Sequence, residues 1–386
     1  MKVLKCLKNT YLDIKNHLQD DSFDSLLWLV NIMPSLAGFS LRQDKIAAPF
    51  WILHLSLLFY VYGVGSVVYQ VKYAQSPTEF IKSYVNISIF IIVVNGSYWF
   101  LTKRSLVKTV LKKVNKSDEL ARRSLLLRTK HKKSLFAIKK IVMMFYGVNL
   151  FQEFIIYMPH RVDVFNDNYS MTPCVGLEPL TVSPNQEICR LILCVQELTI
   201  MTVVLDYQAL LFLLIAHTTL MYQMLAEEIM TLANSDENIQ DVKETLPKLI
   251  NRHIMILDTI DKLKTLYSVP TGVDFGSNAL CMSLFCFLSL QEYVTFMPII
   301  LYVFAVFFLY CYLCQCLINA SVDFERAVYS CGWENLEWRD KKTIYVMLLQ
   351  AQKPIELLAA NIIPINIATF ASTIQAIYKF VTVVKF

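Results

Sequence analysis

The sequence predicts an all-α membrane protein: seven transmembrane helices, the N-terminus cytoplasmic and the C-terminus extracellular, with helices extending below the membrane as a cytoplasmic anchor. Three observations predict it. The 386-residue chain is 55% hydrophobic and 17% charged, with a mean hydropathy of +0.45, whereas soluble domains carry about 25% charged residues. Seven apolar runs approach or exceed the roughly 20 residues that cross a bilayer. Lysine and arginine crowd into every second connection.

The opening segment, "MKVLKCLKNTYLDIKNHLQDD", mixes lysines, acids and hydrophobics. It lacks an apolar stretch ending in a small-residue cleavage site, so no secretory signal is expected and the first span directs insertion. That span is 48–70 and the second is 80–101. The third is 136–158, and the fourth, 190–217, belongs to an unusually long apolar stretch. The fifth, 270–290, begins among Pro270, Gly272 and Gly276, and the sixth is 293–319. The seventh, 357–384, is followed only by Lys385 and Phe386. Pro354 is expected to start a short inner helix and Pro364 to kink or break it, because proline lacks an N–H and restricts the residue before it.

Orientation follows from charge. The segment before span one and the spans two–three, four–five and six–seven connections, with Lys139 and Lys140 at the start of span three, together hold 30 of the 36 Lys and Arg residues. The positive-inside rule places those segments in the cytoplasm. The inner segments 218–268 and 320–356 are helix-compatible: "LAEEIMTL" and "TLPKLINRHIMILDTIDKLKTL" repeat apolar residues at three- and four-residue spacing. Their apolar faces need partners, so spans four to six are expected to continue as helices below the membrane and pack there.

The second outer loop carries an Asn-Tyr-Ser sequon at Asn168, a glycosylation candidate. Cys174 and Cys189 share that loop, and a disulfide between them is one of two readings, free thiols being the other. The cysteines of "CYLCQC" are read as small hydrophobes rather than metal ligands. With no H-E-x-x-H, paired acidic metal motif or nucleotide loop, no metal, cofactor, enzyme activity or nucleic-acid partner is expected. Sequons at Asn86, Asn95, Asn115 and Asn319 fall in spans or near the cytoplasm and are read as chance.

Ser372, Gln375, Lys379 and Thr382 recur at spacings of three, four and three, placing them on one face of the last helix. Such a stripe either hydrogen-bonds a neighbouring helix or lines water, because polar groups at membrane depth avoid lipid. One helix cannot enclose a pore, so the second reading requires an oligomer. Other intramembrane polar residues are Asn149, Gln152, Glu153, Gln196, Glu197, Asp206 and His217. Aromatic and Met side chains in the outer halves of spans two to six, among them Phe80, Tyr84, Phe151, Phe154, Met201, Phe285, Phe287 and Tyr302, fit core packing or a small apolar ligand.

The segment "AVYSCGWENLEWRDKKTIYVMLLQAQKP", then "IPINIATF" and the terminal "YKFVTVVKF", resembles the C-terminal signature of insect odorant receptors. "LPKLINRHIMILDTIDKL" resembles the family's inner helix before span five. Ile363 and Lys379 depart from the pattern, which has Phe and a small polar residue there. The resemblance implies a ligand-gated, non-selective cation channel assembled as a hetero-tetramer with the olfactory coreceptor Orco in the plasma membrane of sensory dendrites. It implies a pore lined by Ser372, Gln375, Lys379, Thr382 and Val383, narrowest near the last two. It also implies an odorant pocket in the outer half of the bundle, for which Phe80, Tyr84, Phe151, Phe154, Gln196, Met201, Phe285 and Tyr302 are the candidate contacts. The corresponding divisions are an N-terminal segment 1–47, helices and pocket 48–318, an anchor 319–356 and a pore helix 357–386. Orco itself has a much longer connection than 218–268, so a ligand-tuning subunit is implied. Gustatory receptors differ at "TFASTIQAI". The remaining alternatives are a gustatory-type channel and a seven-helix receptor signalling through a cytoplasmic partner.

Overall fold

The computed structural model describes residues 12–20, 22–37, 47–72, 74, 76–124, 127–161, 174–180, 182–232, 239–290, 293 and 296–385. Four short or interrupted helices come first: α1 (12–19), α2 (Phe23–Val30), α3 (Ile32–Leu36) and α4 (Ala48–Lys72). Then follow α5 (Pro77–Thr102), α6 (Arg104–Arg123), α7 (Arg128–Gln152) and three long helices, α8 (Asn185–Met230), α9 (Ile239–Phe285) and α10 (Met297–Tyr329). The chain ends with α11 (Trp338–Ala351), a two-stranded hairpin and α12 (Ile367–Lys385).

α8 is the centre of the bundle. Residues 199–215 are all buried, and a helix that is apolar on every side is one surrounded by protein. This accounts for the long apolar run in the sequence. At 1.5 Å per residue, a 46-residue helix spans about 70 Å, more than twice the roughly 30 Å hydrocarbon thickness. α9, with 47 residues, and α10, with 33, also outrun a bilayer, and all three pack on one another as the sequence led us to expect. α4, α5, α7, α8 and α10 are long and apolar enough to cross a membrane, while α12 is a shorter apolar helix.

Two expectations from the prolines are corrected. Pro270 does not bound a helix: α9 passes straight through it. A proline cannot donate to the carbonyl one turn back, which here is that of Leu266. The buried indole of Trp99 supplies the missing donor, Nε1 to Leu266 O at 3.0 Å. Trp99→Phe would remove it and leave a buried carbonyl unpaired, so we expect a loss of about 1–3 kcal/mol, read as a lower melting temperature in detergent.

The second correction concerns 357–366. No helix begins at Pro354; residues 354–357 are irregular, and β1 (Leu358–Ala359) pairs antiparallel with β2 (Ile363–Pro364) in the register Leu358↔Pro364 and Ala359↔Ile363. Ala360 and Asn361 form the tip with φ of 52° and 59°. The last helix therefore starts at Ile367 rather than 357, with Asn366 Oδ1 accepting from Thr369 N at 2.8 Å. The hairpin docks on α9: Ala360 N donates to Ser268 O at 2.7 Å, Asn361 N to Ser268 Oγ at 2.7 Å, and Ser268 Oγ to Leu358 O at 2.9 Å.

The amphipathic α6 buries Val107, Val110, Leu111 and Val114 at helical spacing while its lysines face outward. The N-terminal helices are anchored by Lys139 of α7. Its buried ammonium donates to the carbonyls of His17, Leu18 and Asp20 at 3.2, 3.1 and 2.6 Å, the favourable place for a cation at the C-terminus of α1.

Candidate functional site: a cavity at one end and an uncovered helix at the other face

A cavity of about 130 Å³ lies between α4, α5, α7, α8, α9 and α10. Both π-helical stretches among the described residues border it. The π-helical turn Phe59–Gly65 inside α4 presents Tyr62, and the turn Glu153–Tyr157 that continues α7 presents Glu153. Inserting one residue per turn re-aims side chains, and such turns recur at functional sites. The rest of the wall is largely aliphatic, including Ile89, Val93, Ile200, Val204, Ile299 and Val303.

A few polar groups converge on this apolar space. Tyr62 OH donates to Glu197 Oε1 at 2.9 Å. Asn149, Gln152 and Tyr302 add further polar atoms, and among the described residues the buried Tyr302 hydroxyl has no hydrogen-bond partner. An apolar chamber with sparse polar handles is the general form of a small-molecule site. Its volume, well under the roughly 300–1,000 Å³ of drug-sized pockets, restricts an occupant to a small molecule. Cys174 and Cys189 are joined as a disulfide, Cα–Cα 5.8 Å, and the bridge packs with Tyr62, Val93 and Val204 of the wall.

The sequence-predicted contacts divide. Met201 and Tyr302 line the cavity. Gln196 is fully buried, next to the wall residue Glu197 but not part of the wall, and Phe285 packs on Phe296 in an adjoining cluster. Phe80, Tyr84, Phe151 and Phe154 are exposed on the outside of the bundle. Asn149, Gln152, Glu153 and Glu197, noted in the sequence only as intramembrane polar residues, are wall residues. Asn168 lies outside the described residues.

Deeper polar residues are paired across helices. His54 Nδ1 lies 2.9 Å from Thr199 Oγ1 and its Nε2 lies 3.0 Å from Ser97 Oγ. Tyr146 OH donates to Asp206 Oδ1 at 3.0 Å. Asn95 Nδ2 donates to Pro270 O and to Asp274 Oδ1, both at 2.9 Å. Asn95 is thus committed to a contact between α5 and α9.

On α12, Phe370, Ile374 and Ile377 pack against the core, whereas Ser372, Gln375, Lys379 and Val383 are exposed and Thr382 is half-buried. Ser372 and Thr382 hydroxyls donate only within the helix, to Thr369 O and Lys379 O. Among the described residues the polar stripe therefore makes no hydrogen bond to a neighbouring helix.

A family described as 7tm Odorant receptor matches residues 76–378. The chain belongs to the odorant receptor family. Its relatives include Odorant receptor 22a of Drosophila melanogaster, 27% identical over 147 residues, and Odorant receptor 10 of Aedes albopictus, 26% identical over 143 residues. The first match covers 37% of each chain, and the second 36% of this chain and 38% of the mosquito receptor. The fold is similar to that of the insect olfactory receptor OR5 from Machilis hrabei, with a TM-score of 0.81 and 16% identity over 95% of this chain and 99% of that one. The same receptor in complex with eugenol gives a TM-score of 0.78 at 16% identity over 92% and 96% of the two chains. Membership sets this odorant receptor homologue among multi-pass membrane receptors rather than enzymes.

Proposed function

We propose that this chain is the ligand-tuning subunit of a heteromeric, ligand-gated, non-selective cation channel, partnered by Orco in the plasma membrane of sensory dendrites. A small apolar or volatile odorant occupies the cavity beside the Tyr62–Glu197 pair. The observation that carries the reading is the pairing of an apolar cavity with a last helix whose polar stripe has no hydrogen-bond partner on another helix among the described residues. Polar groups left facing lipid are costly, and a shared aqueous axis with other subunits removes that cost. The cavity is of a kind suited to a ligand like the eugenol bound by the Machilis hrabei receptor.

The charge distribution supports seven spans, with α9 and α12 completing the five more apolar helices. It also supports an inner N-terminus and an outer C-terminus. In that orientation Asn168 and the Cys174–Cys189 bridge face outward, where the sequon can be glycosylated and the disulfide persists. The inner ends of α8, α9 and α10, with α11, form the anchor between subunits.

The test is whole-cell current from the chain expressed in a non-olfactory cell, alone and with Orco, against an odorant panel. Odorant-evoked cation current is expected only with Orco. Lys379→Ala and Val383→Ala are expected to change ion permeability while leaving odorant rank order intact. A second-messenger response without current would exclude the channel reading; current indifferent to both substitutions would remove α12 from the pore.

A further inference from the structure

At the end of the bundle opposite the cavity, Asp118 of α6, His131 of α7 and His217 of α8 bring one ligating atom each to within 4.8 Å of the others. All three residues are at most 2% exposed. Among the described residues neither ring nitrogen of His217 has a hydrogen-bond partner. Asp118 Oδ1 and His131 Nε2 lie 2.9 Å apart, an ion pair when the imidazole is protonated but not aligned as a hydrogen bond. Leaving buried polar atoms unpaired costs about 1–3 kcal/mol apiece, so this cluster needs a physical reason.

Direction supplies one. In a hydrogen bond the N–H points at its acceptor, whereas the ligands of one ion point their lone pairs at a shared third position. In a tetrahedral zinc site with bonds of about 2.0–2.1 Å, neighbouring donor atoms stand about 3.3 Å apart. The Asp118–His131 separation of 2.9 Å and the 4.8 Å limit on the other two are compatible with that spacing. Two imidazoles and one carboxylate are borderline nitrogen and oxygen donors, which suit zinc. Magnesium and calcium require octahedral or larger all-oxygen shells, which this set does not offer.

The surroundings fit as well. The Phe23 ring stands edge-on to His217, centroids 4.9 Å apart, and closes that side with an apolar wall. The Phe23 N–H lies 3.5 Å from Asp118 Oδ2, the oxygen turned away from His131. An outer donor of this kind orients a ligating carboxylate. We propose that Asp118, His131 and His217 bind a zinc ion that clamps α6 and α7 to α8 beneath the N-terminal helix α2. The inference stands independently of the odorant and channel readings, since it concerns the fold's opposite end.

The test uses the full-length chain, purified in detergent with a tag free of histidine, stripped with a chelator and titrated with Co²⁺. A visible ligand-field band should grow to saturation at about one ion per chain and be bleached by Zn²⁺, as expected of a tetrahedral site. Asp118→Asn and His217→Ala should each lose the band, while His253→Ala, a buried histidine of α9 elsewhere, should retain it. Zn²⁺ should raise the melting temperature of the wild type and not of Asp118→Asn, because an ion bound only by the folded state stabilises it. Should His217→Ala fail to fold, the near-isosteric Asp118→Asn decides. No band in the wild type, or a band undiminished in Asp118→Asn, overturns the proposal.

Discussion

Gly272→Val is expected to abolish odorant-evoked current while leaving the receptor at the cell surface. A Cβ at position 272 would stand 2.6 Å from Ala360 Cβ, 2.7 Å from Ala360 N and 3.0 Å from Ala360 Cα. Backbone atoms at those distances cannot move aside singly. The tip they belong to is already committed, with Ala360 and Asn361 in the left-handed region, which costs an alanine about 1–2 kcal/mol. The hairpin must therefore lift from α9 as a unit. It would lose the three hydrogen bonds to Ser268, each worth about 1 kcal/mol net. That is enough to undock a local element but small beside the burial that holds α8, α9 and α10 together.

The functional consequence comes from connectivity. α9 reaches the cavity wall at Cys281, nine residues beyond Gly272 and on the same helix. The hairpin leads through Asn366 directly into α12. It is thus one physical link between the cavity and the proposed pore wall, beside the direct packing of Phe304, Phe307 and Phe308 of α10 on Phe370 of α12. Surface labelling should give near wild-type levels for Gly272→Val, with current reduced at least tenfold, and Gly272→Ala should fall between. Faster amide exchange confined to 358–364 would show that the hairpin alone has been freed. Wild-type current from Gly272→Val would remove the hairpin from the coupling route.

Much of this architecture was legible in the sequence. The long apolar run at 190–217 predicts an apolar helix, and α8 runs through it. The three- and four-residue periodicity of 245–266 predicts a helix there, and α9 runs unbroken through that segment. The polar stripe of the last helix appears on an exposed face of α12 as its spacing requires.

The failures are equally specific. Pro270 reads as a boundary because its lost hydrogen bond is local, whereas its replacement, Trp99, lies on another helix. The hairpin at 357–366 escaped notice because its left-handed tip is Ala-Asn, without the glycine that usually marks such a turn. At the cavity the aromatic signal misled. Aromatic side chains satisfy lipid as readily as a ligand, so Phe80, Tyr84, Phe151 and Phe154 could lie outside at no cost. Asn149, Gln152, Glu153 and Glu197 could not, since polar groups at this depth turn toward protein or a cavity.

That asymmetry leads to an expectation about the cavity itself. Tyr302→Phe removes a buried hydroxyl that has no partner among the described residues. Deleting an unsatisfied polar atom is neutral or stabilising, so the unliganded receptor should melt no lower than the wild type. A ligand bearing a hydrogen-bond acceptor within reach of that hydroxyl should lose about 1.4 kcal/mol, a tenfold rise in half-maximal concentration. Hydrocarbon ligands of similar size should be unaffected or slightly favoured. Val204→Trp acts differently, since it fills the cavity and should remove responses to both kinds of ligand by tenfold or more. Dose–response curves for a matched ketone and alkane on the two variants separate shape from hydrogen bonding. Equal loss of both ligands in Tyr302→Phe would mean that the hydroxyl positions the wall instead of the odorant. Intact responses in Val204→Trp would place the odorant outside this cavity altogether.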